Sequence, residues 1–216
     1  MNTPTPTIDQ MPVNEEFAAR TSNTAIERAA DALRAHKFEV FIVPDPAGAK
    51  ELVLRLIPEG SEVGQGASVT MDEMGLTELI EKSGKYDALR PKTRAMDRAT
   101  QMREIRKLGS APDFFLNSAQ ALTQDGSLVF ASATGSQIGP IANGAGRLIL
   151  VVGAQKIVPD LETALARIRE YAYPLEDAKM RKLYGVGSAM NRILIFNGEG
   201  REGRTTVIIV RDPVGT

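Results

Sequence analysis

The chain has 216 residues, of which 43% are hydrophobic, enough for one main domain with a small appendage. Its 26 basic and 27 acidic residues leave a formal net charge of -1, which gives no electrostatic reason to expect binding to nucleic acid or an anionic membrane surface. Because there is no cysteine, a disulfide, a thiol nucleophile, a thiolate zinc site and a cysteine-ligated iron–sulfur cluster are excluded within this chain. No apolar run approaches the ~20 residues of a spanning helix and the N-terminus is polar, so we expect a cytoplasmic protein.

The first stretch of the chain differs in composition from the rest. Residues 1–20 are rich in threonine and proline and contain few large apolar residues, a composition that buries too little surface to order itself. We therefore predict a flexible N-terminal arm over residues 1–20 and a single domain over residues 21–216.

Helices and strands are predicted to alternate from Thr24 onward. Apolar residues at helical spacing, with Thr24 and Glu27 placed as a capping box, predict the first helix. A compact apolar run over residues 38–43 predicts a buried strand. Asp45 followed by Pro46 then predicts the start of a second helix.

A glycine-containing loop follows the next predicted strand, at residues 62–64, and precedes a helix. Glycine lets the backbone approach a ligand, hydroxyl groups donate hydrogen bonds, and a helix N-terminus offers free N–H groups to an anion. The predicted anion-binding residues of this loop are Gly64, Gly66, Ser68 and Thr70. The motif lacks the third glycine of a dinucleotide fingerprint and the Gly-Lys-Ser/Thr of a P-loop. A tight turn with a Ser/Thr N-cap is the equal alternative.

A helix predicted over residues 93–108 is basic on its polar face. The basic stripe consists of Arg94, Arg98, Arg103, Arg106 and Lys107. Such a stripe could meet phosphate or an acidic partner, but a solvated face is the usual explanation. No site is assigned to it.

The central stretch, residues 114–152, is predicted to hold three short strands. The first starts at Phe114, the second covers residues 128–131 after an Asp-Gly turn, and the third covers residues 148–152. Ligands of α/β proteins bind at strand ends, where this stretch has small polar residues. The candidates are Asn117, Thr134, Gly135 and Ser136. For residues 134–136, an ordinary strand connection is the equal alternative.

The C-terminal part continues the alternation and ends in strands. Helices are predicted after Asp160 and over residues 175–184. Two apolar runs, residues 192–196 and 205–210, are predicted to form paired strands joined by a glycine-rich loop. The whole pattern predicts an α/β fold with an open, mostly parallel sheet covered by helices on both faces.

Four segments in this order resemble one known family. They are GQGASVTMDEMG at residues 64–75, NSAQALTQDGSLV at 117–129, RLILVVGAQKIVPD at 147–160 and GRTTVIIV at 203–210. Together they are similar to the LUD-domain family of lactate-utilisation proteins, over about residues 24–215.

The resemblance implies both a fold and a setting. The implied fold is a three-layer α/β/α sandwich like that of the NagB/RpiA/CoA-transferase group. The implied role lies in a system that oxidises L-lactate to pyruvate, in which iron–sulfur or flavin cofactors belong to partner subunits and none to this chain. A homo-oligomer is compatible with it.

The chain departs from the family pattern at two points, so its partner or substrate could differ from that of the family. Many relatives have Val-Asn-Ile-Asp-Gly where this chain has Val129-Phe130-Ala131-Ser132-Ala133. Some relatives also carry a cysteine cluster before the last strands, and this chain has no cysteine.

Two carboxylates are weak catalytic candidates. Glu73 follows the glycine loop, where it could act as a general base or offset the helix dipole, and we favour the second role. Asp125 lies in an Asp-Gly turn, and a turn residue is the simpler interpretation. Lys156 is interpreted as a solvated surface lysine. His36 is the only histidine, which argues against a histidine-based metal site, and no metal site is predicted.

Three functions stay open. The first is a protein of lactate or related organic-acid utilisation that binds a small anionic ligand and acts with redox partners. The second is a stand-alone enzyme or binding protein for a phosphorylated sugar, a folate or an acyl-CoA. The third is a non-catalytic assembly subunit, so the chain is not assigned as an enzyme.

Overall fold

The computed structural model describes residues 11–216, and its strands form two sheets. In chain order the strands are β1 Glu39–Val43, β2 Glu62–Gln65, β3 Asp87–Ala88, β4 Phe114–Asn117, β5 Ala121–Thr123, β6 Leu128–Ser132, β7 Arg147–Gly153, β8 Ile157–Val158, β9 Arg192–Phe196 and β10 Thr205–Val210. The α-helices are α1 Asn23–Ala35, α2 Pro46–Leu56, α3 Val69–Glu73, α4 Leu76–Lys82, α5 Leu89–Ala95, α6 Met102–Ser110, α7 Leu161–Arg167 and α8 Tyr173–Tyr184. Within these residues, no helix has the length and apolar character needed to cross a lipid bilayer.

The main sheet has six parallel strands in the order β1-β10-β7-β4-β2-β3. Two neighbouring inner strands are the most buried: every residue of β10 is buried, and so is every residue of β7 after Arg147. A strand covered on both faces needs a continuous apolar run, because its side chains point alternately to the two faces and neither face is exposed to water. The composition of these runs therefore suits β7 and β10 to positions inside the sheet, with a strand on each side.

Two apolar clusters cover the two faces of this sheet. On one face, side chains of α2, α3 and α4 pack on β7 and β10. On the other face, α1 and strands of the second sheet pack on the same two strands. The three-layer α/β/α arrangement confirms the fold expected from the sequence.

The second sheet was not predicted, and it corrects the expected pairing of the last two strands. Its order is β8-β5-β6-β9, with β9 antiparallel to β6. β10 instead pairs in parallel with β1 and β7 in the main sheet. The burial of the two strands explains the difference: β10 is buried throughout, whereas β9 is partly exposed and suits only an edge.

Two helix predictions also need correction. The helix expected over residues 93–108 is divided into α5 and α6, because the Asp97 carboxylate accepts hydrogen bonds from Ala99 N at 2.9 Å and Thr100 Oγ1 at 2.7 Å. Local side-chain bonds of this kind compete with helical ones. At α1 the N-cap is Ser22, whose Oγ accepts from Ala25 N at 3.1 Å, in place of the predicted Thr24.

The predicted flexible arm lies partly outside the described residues, because residues 1–10 are not among them. Its second half contains a 3-10 helix over Glu15–Ala18. The N–H of Asn14 donates to the carbonyl of Glu170 at 2.9 Å, and Arg20 Nε donates to the carbonyl of Arg211 at 2.6 Å. These two bonds attach residues 14–20 to the domain.

Candidate functional site

A cavity of about 880 Å³ lies at the carboxyl ends of β2 and β4. Its walls come from both sheets, from α5 and α6, and from α8. In open α/β folds, ligands bind beyond the carboxyl ends of the parallel strands, and a cavity of several hundred Å³ accommodates a small molecule. We refer to it below as the strand-end cavity.

The strand-end cavity brings together the two loops that the sequence analysis singled out. Every predicted ligand-binding residue lines it: Gly64, Gly66, Ser68, Thr70, Asn117, Thr134, Gly135 and Ser136. The two loops are far apart in sequence. The first follows β2, which is paired with β4 in the main sheet. The second follows β6, a strand of the second sheet that packs against β4, and so both loops reach the same cavity. Whether these residues bind a ligand stays a prediction.

The glycine loop is shaped by close contact with the end of β4. Gly66 N donates to the carbonyl of Leu116 at 3.1 Å, and a Cβ at Gly66 would lie 2.8 Å from the carboxamide of Asn117. Only glycine allows that approach. Ser68 is the N-cap of α3, its Oγ accepting from Met71 N at 3.4 Å, so the helix already uses this hydroxyl.

The second loop is held by its own hydroxyl groups. Ser132 Oγ accepts from Gly135 N at 2.9 Å, and Thr134 Oγ1 donates to Ser136 Oγ at 3.1 Å. These bonds fix the backbone of the loop with its polar residues along the cavity wall.

Lys156 is the residue that the sequence analysis placed wrongly. It is 2% exposed, it lines the strand-end cavity, and its Nζ donates to Thr70 Oγ1 at 2.9 Å and to Ser118 Oγ at 3.1 Å. Burial lowers the pKa of Lys156 to about 7, with a further lowering from the charge of Arg167. Glu73 acts in the opposite direction and offsets only part of this.

The chain around Lys156 explains its burial. A 3-10 helix over Ala154–Lys156 joins β7 to β8, so the lysine lies between a central strand of the main sheet and an edge strand of the second sheet. The carboxamide of Gln155 donates to the carbonyls of Val214 and Gly215 at 2.9 and 2.8 Å, which holds the C-terminal segment over this turn. A lysine within an otherwise apolar run was the available signal in the sequence.

Arg167 is a second buried cation beside this turn. Its Nε donates to the carbonyl of Gln155 at 3.2 Å, its NH1 donates to the carbonyl of Gln120, and its guanidinium lies 5.1 Å from the ring centroid of Tyr171. Burial lowers the pKa of Arg167 to about 10, which leaves it charged at neutral pH. Its bonds connect α7 to the turns before β5 and before Lys156.

The charged side chains that line the cavity are mostly positive. They are the cations Arg90, Arg98, Arg106 and Lys156 and the carboxylate Glu176. Arg90 pairs with Glu81 at 3.2 Å.

Two members of the basic stripe therefore contribute to the cavity. Arg98 and Arg106 line it, whereas Arg94, Arg103 and Lys107 pair with glutamates at the surface. Among residues 11–216, neither Arg98 nor Arg106 has a carboxylate partner within ion-pair distance. The spacing of the stripe alone does not distinguish a solvated face from a cavity wall, so no site was predicted there.

The two weak catalytic candidates have other contacts. The Glu73 carboxylate accepts from Gly215 N at 2.7 Å, and the Asp125 carboxylate accepts from Thr123 Oγ1 within its own turn. Neither residue lines the strand-end cavity. Within the described residues, no group of three histidine, aspartate or glutamate side chains could hold a metal ion.

The fold and the cavity define a three-layer α/β/α domain with a small-molecule-sized cavity at its strand ends. Residues 26–212 match the LUD domain, so the chain belongs to the LUD domain family. This match confirms the resemblance seen in the four sequence segments.

One solved structure supports the fold. A DUF162 family protein from Deinococcus radiodurans is similar with a TM-score of 0.55 and 14% identity, over 87% of this chain and 96% of that one. The eIF2B delta subunit from Chaetomium thermophilum aligns with a TM-score of 0.35 and 12% identity, over 56% of this chain and 50% of that one. No curated protein sequence matches the chain.

Proposed function

We propose that this LUD-domain chain binds a small organic anion in the strand-end cavity and acts in the cytoplasmic utilisation of lactate or a related organic acid. The charge of the cavity carries the proposal. Among residues 11–216, Arg98 and Arg106 line it without a carboxylate partner within ion-pair distance, although the whole chain has a formal charge of -1. A local excess of positive charge in a concave site concentrates anions.

The basic side chains are arranged at two depths. Lys156 is buried beside the hydroxyls of Thr70 and Ser118, whereas Arg98 and Arg106 are exposed on the wall formed by α6 and the loop before it. Guanidinium groups bind carboxylates and phosphates through paired hydrogen bonds. The arginines therefore hold the anionic group, and the deep hydroxyls contact the rest of the ligand.

Isothermal titration calorimetry with lactate, pyruvate and the neutral analogue lactamide tests the proposal. Arg106→Gln is expected to weaken binding of the acid about three- to tenfold, since a partly exposed charged hydrogen bond contributes about 1 kcal/mol. Arg103→Gln is the matched control, because Arg103 is also on α6 but does not line the cavity. Equal binding of lactate and lactamide, or equal effects of the two variants, would contradict anion recognition.

The redox part of the proposal concerns partner subunits. A chain without cysteine cannot ligate an iron–sulfur cluster through thiolates, and in this proposal the flavin or iron–sulfur centre that accepts electrons belongs to another protein. Affinity purification of the tagged chain from lactate-grown cells is expected to recover a subunit with a flavin or iron–sulfur absorption spectrum. A preparation that contains neither chromophore under those conditions argues against this part alone.

A second candidate is a self-contained enzyme for a sugar phosphate, a folate or an acyl-CoA. The observation that favours it is the contact of buried Lys156 with two hydroxyl groups, an arrangement that can support chemistry within one chain. Thermal-shift measurements separate the two candidates, because a ligand that binds the folded state raises its melting temperature. Stabilisation by a sugar phosphate or a CoA ester, with none by lactate or pyruvate, would favour the second candidate.

A further inference from the structure

Ser118 occupies the position directly after β4, at the deep end of the strand-end cavity. It is 8% exposed and lines the cavity, and its Oγ accepts from Lys156 Nζ at 3.1 Å and donates to the carbonyl of Ala119 at 3.2 Å, so rotation of the hydroxyl turns its proton toward a neutral amine. A serine hydroxyl at ordinary pKa is a weak nucleophile, and it becomes reactive when a base within hydrogen-bond distance removes its proton. Lys156 is placed to be that base.

Lys156 can accept a proton because its amine is not held in the charged form. Within residues 11–216 no carboxylate lies within ion-pair distance of Nζ, and its hydrogen-bond partners are the hydroxyls of Thr70 and Ser118. Burial brings the pKa of Lys156 to about 7, so a large fraction of the amine has a free lone pair at neutral pH. A lysine that only filled a structural role would be expected to pair with a carboxylate or to extend to water.

Thr70 fixes the orientation of the amine. Its Oγ1 accepts from Lys156 Nζ at 2.9 Å and lies 3.5 Å from the carbonyl of Val214, to which it can donate. The next residue, Gly215, packs so closely that a Cβ there would overlap the Thr70 hydroxyl. A nucleophile, a base and a third group that orients the base form the general arrangement of nucleophilic catalysis.

We propose that Ser118 and Lys156 form a nucleophile–base pair for acyl transfer, acting on an ester or thioester of a small organic acid that carries a second, anionic group. The inference rests on the proposed function for the anionic group, which binds to Arg98 and Arg106 at the cavity wall. It goes beyond that function by assigning a reaction to the deep end of the same cavity.

The reaction proceeds in two halves with no change of oxidation state. Ser118 Oγ forms a bond to the acyl carbon while its proton passes to Lys156 Nζ, and the bond from that carbon to the leaving oxygen or sulfur breaks as the leaving group takes the proton. Water then attacks the Ser118 ester with Lys156 again accepting a proton. The free acid leaves, and the proton returns to Ser118 Oγ.

Covalent labelling tests the nucleophile directly. The full-length protein is incubated with an alkyl fluorophosphonate, and peptide mass spectrometry locates the adduct. Labelling is expected at Ser118, with a rate that increases as the pH is raised through about 7 in the wild type. Labelling of another residue alone, or no labelling of the folded protein, would overturn the inference.

Variants separate a reactive role from a structural one. Ser118→Ala is expected to abolish the adduct, and Lys156→Met to slow labelling about 100-fold or more, because a general base contributes about 10²–10⁴-fold. Ser83→Ala and Lys82→Met, which change exposed residues at the end of α4 outside the cavity, are the matched controls. If Lys156→Met does not fold, the pH profile of wild-type labelling still decides: a rate that does not change across pH 6–8 overturns the role of Lys156.

Hydrolysis of two chromogenic esters distinguishes failure of this inference from failure of the proposed function. Mono-4-nitrophenyl succinate carries a carboxylate that neutral 4-nitrophenyl acetate lacks, and its kcat/KM is expected to be about tenfold higher, equivalent to about 1.4 kcal/mol of binding. Calorimetric binding of organic acids without Ser118-dependent hydrolysis overturns the acyl-transfer inference and leaves the proposed function intact. Ser118-dependent hydrolysis with equal rates on both esters supports the nucleophile and contradicts anion binding.

Discussion

Arg167 and Lys156 are both buried cations, yet their surroundings differ. Arg167 is 0% exposed and its guanidinium donates to the backbone carbonyls of Gln155 and Gln120. Lys156 is 2% exposed and its amine donates to the hydroxyls of Thr70 and Ser118 beside a cavity. Carbonyls accept only, so they keep the arginine as a fixed cation. Hydroxyls both donate and accept, so they allow the lysine to gain or lose a proton.

This difference distinguishes a structural role from a chemical role for two cations that are equally buried. A buried group whose hydrogen-bond partners are all backbone atoms of other segments connects those segments. A buried group whose partners are side chains lining a cavity has the freedom to act on what enters the cavity. Burial alone therefore does not identify a functional cation, whereas the kind of partner does.

The largest expected effect is loss of stability in Arg167→Met. Methionine fills much of the volume, but the carbonyls of Gln155 and Gln120 lose their donors, and each buried unsatisfied acceptor costs about 1–3 kcal/mol. We expect the free energy of unfolding, measured by urea titration, to fall by about 2–4 kcal/mol. Arg103→Met, at an exposed position on α6, should change it by less than about 0.5 kcal/mol. Similar values for the two variants would show that Arg167 does not connect these segments.

The second prediction is a pH-dependent stability that comes from Lys156. In the folded state its pKa is about 7, below the value of 10.5 expected for an unfolded chain, so between these values the unfolded state binds more protons. Stability then increases with pH above about 7 and is independent of this group below it. From about pH 7 to about pH 9 the wild type should gain about 2 kcal/mol relative to Lys156→Met, measured by urea titration at each pH. Parallel curves for the two proteins would contradict the lowered pKa.

A smaller effect is expected when the orienting hydroxyl is removed in Thr70→Val. The variant keeps the shape of the side chain but removes an acceptor from the charged amine, so the pKa of Lys156 should fall further below its ordinary value. The free energy of unfolding should decrease by about 1 kcal/mol. NMR titration of the lysine ε-carbon measures the pKa change, and Thr70→Ser, which keeps the hydroxyl, should restore it. An unchanged pKa in Thr70→Val would show that this bond does not orient the amine.

The sequence was sufficient for much of the fold, because the relevant signals are local. Asp45 caps α2 through its carboxylate, which accepts from Gly48 N at 2.8 Å, and β9 and β10 have the predicted bounds. Side-chain spacing and capping residues decide such features within a few residues. The pairing of β9 was missed because it depends on which distant strand still has a free edge.

In the candidate site, too, local features were predictable from the sequence and long-range contacts were not. Polar residues at strand ends were recognisable, and the order of parallel strands brought them to one cavity. Lys156 was not recognisable, because its burial depends on Thr70 and Ser118, which lie 86 and 38 positions away in the chain, and on the C-terminal segment held by Gln155. Contacts of that range are set by the packed fold, and the mostly apolar residues around Lys156, the one local signal, do not specify them.

The smallest effect is expected for Asp125→Asn. This variant tests whether the Asp125 carboxylate has a structural role, as Arg167 does, and no chemical role. Asparagine keeps the oxygen that accepts from Thr123 Oγ1 and suits a turn before glycine, so only the charge is removed. The free energy of unfolding should change by less than about 0.5 kcal/mol. Because Asp125 does not line the strand-end cavity, the affinity for organic anions and the rate of Ser118 labelling should also stay at wild-type values. Loss of anion affinity or of Ser118 labelling in a variant of normal stability would mean that Asp125 takes part in the chemistry. It would also mean that a residue can have a chemical role without lining the cavity.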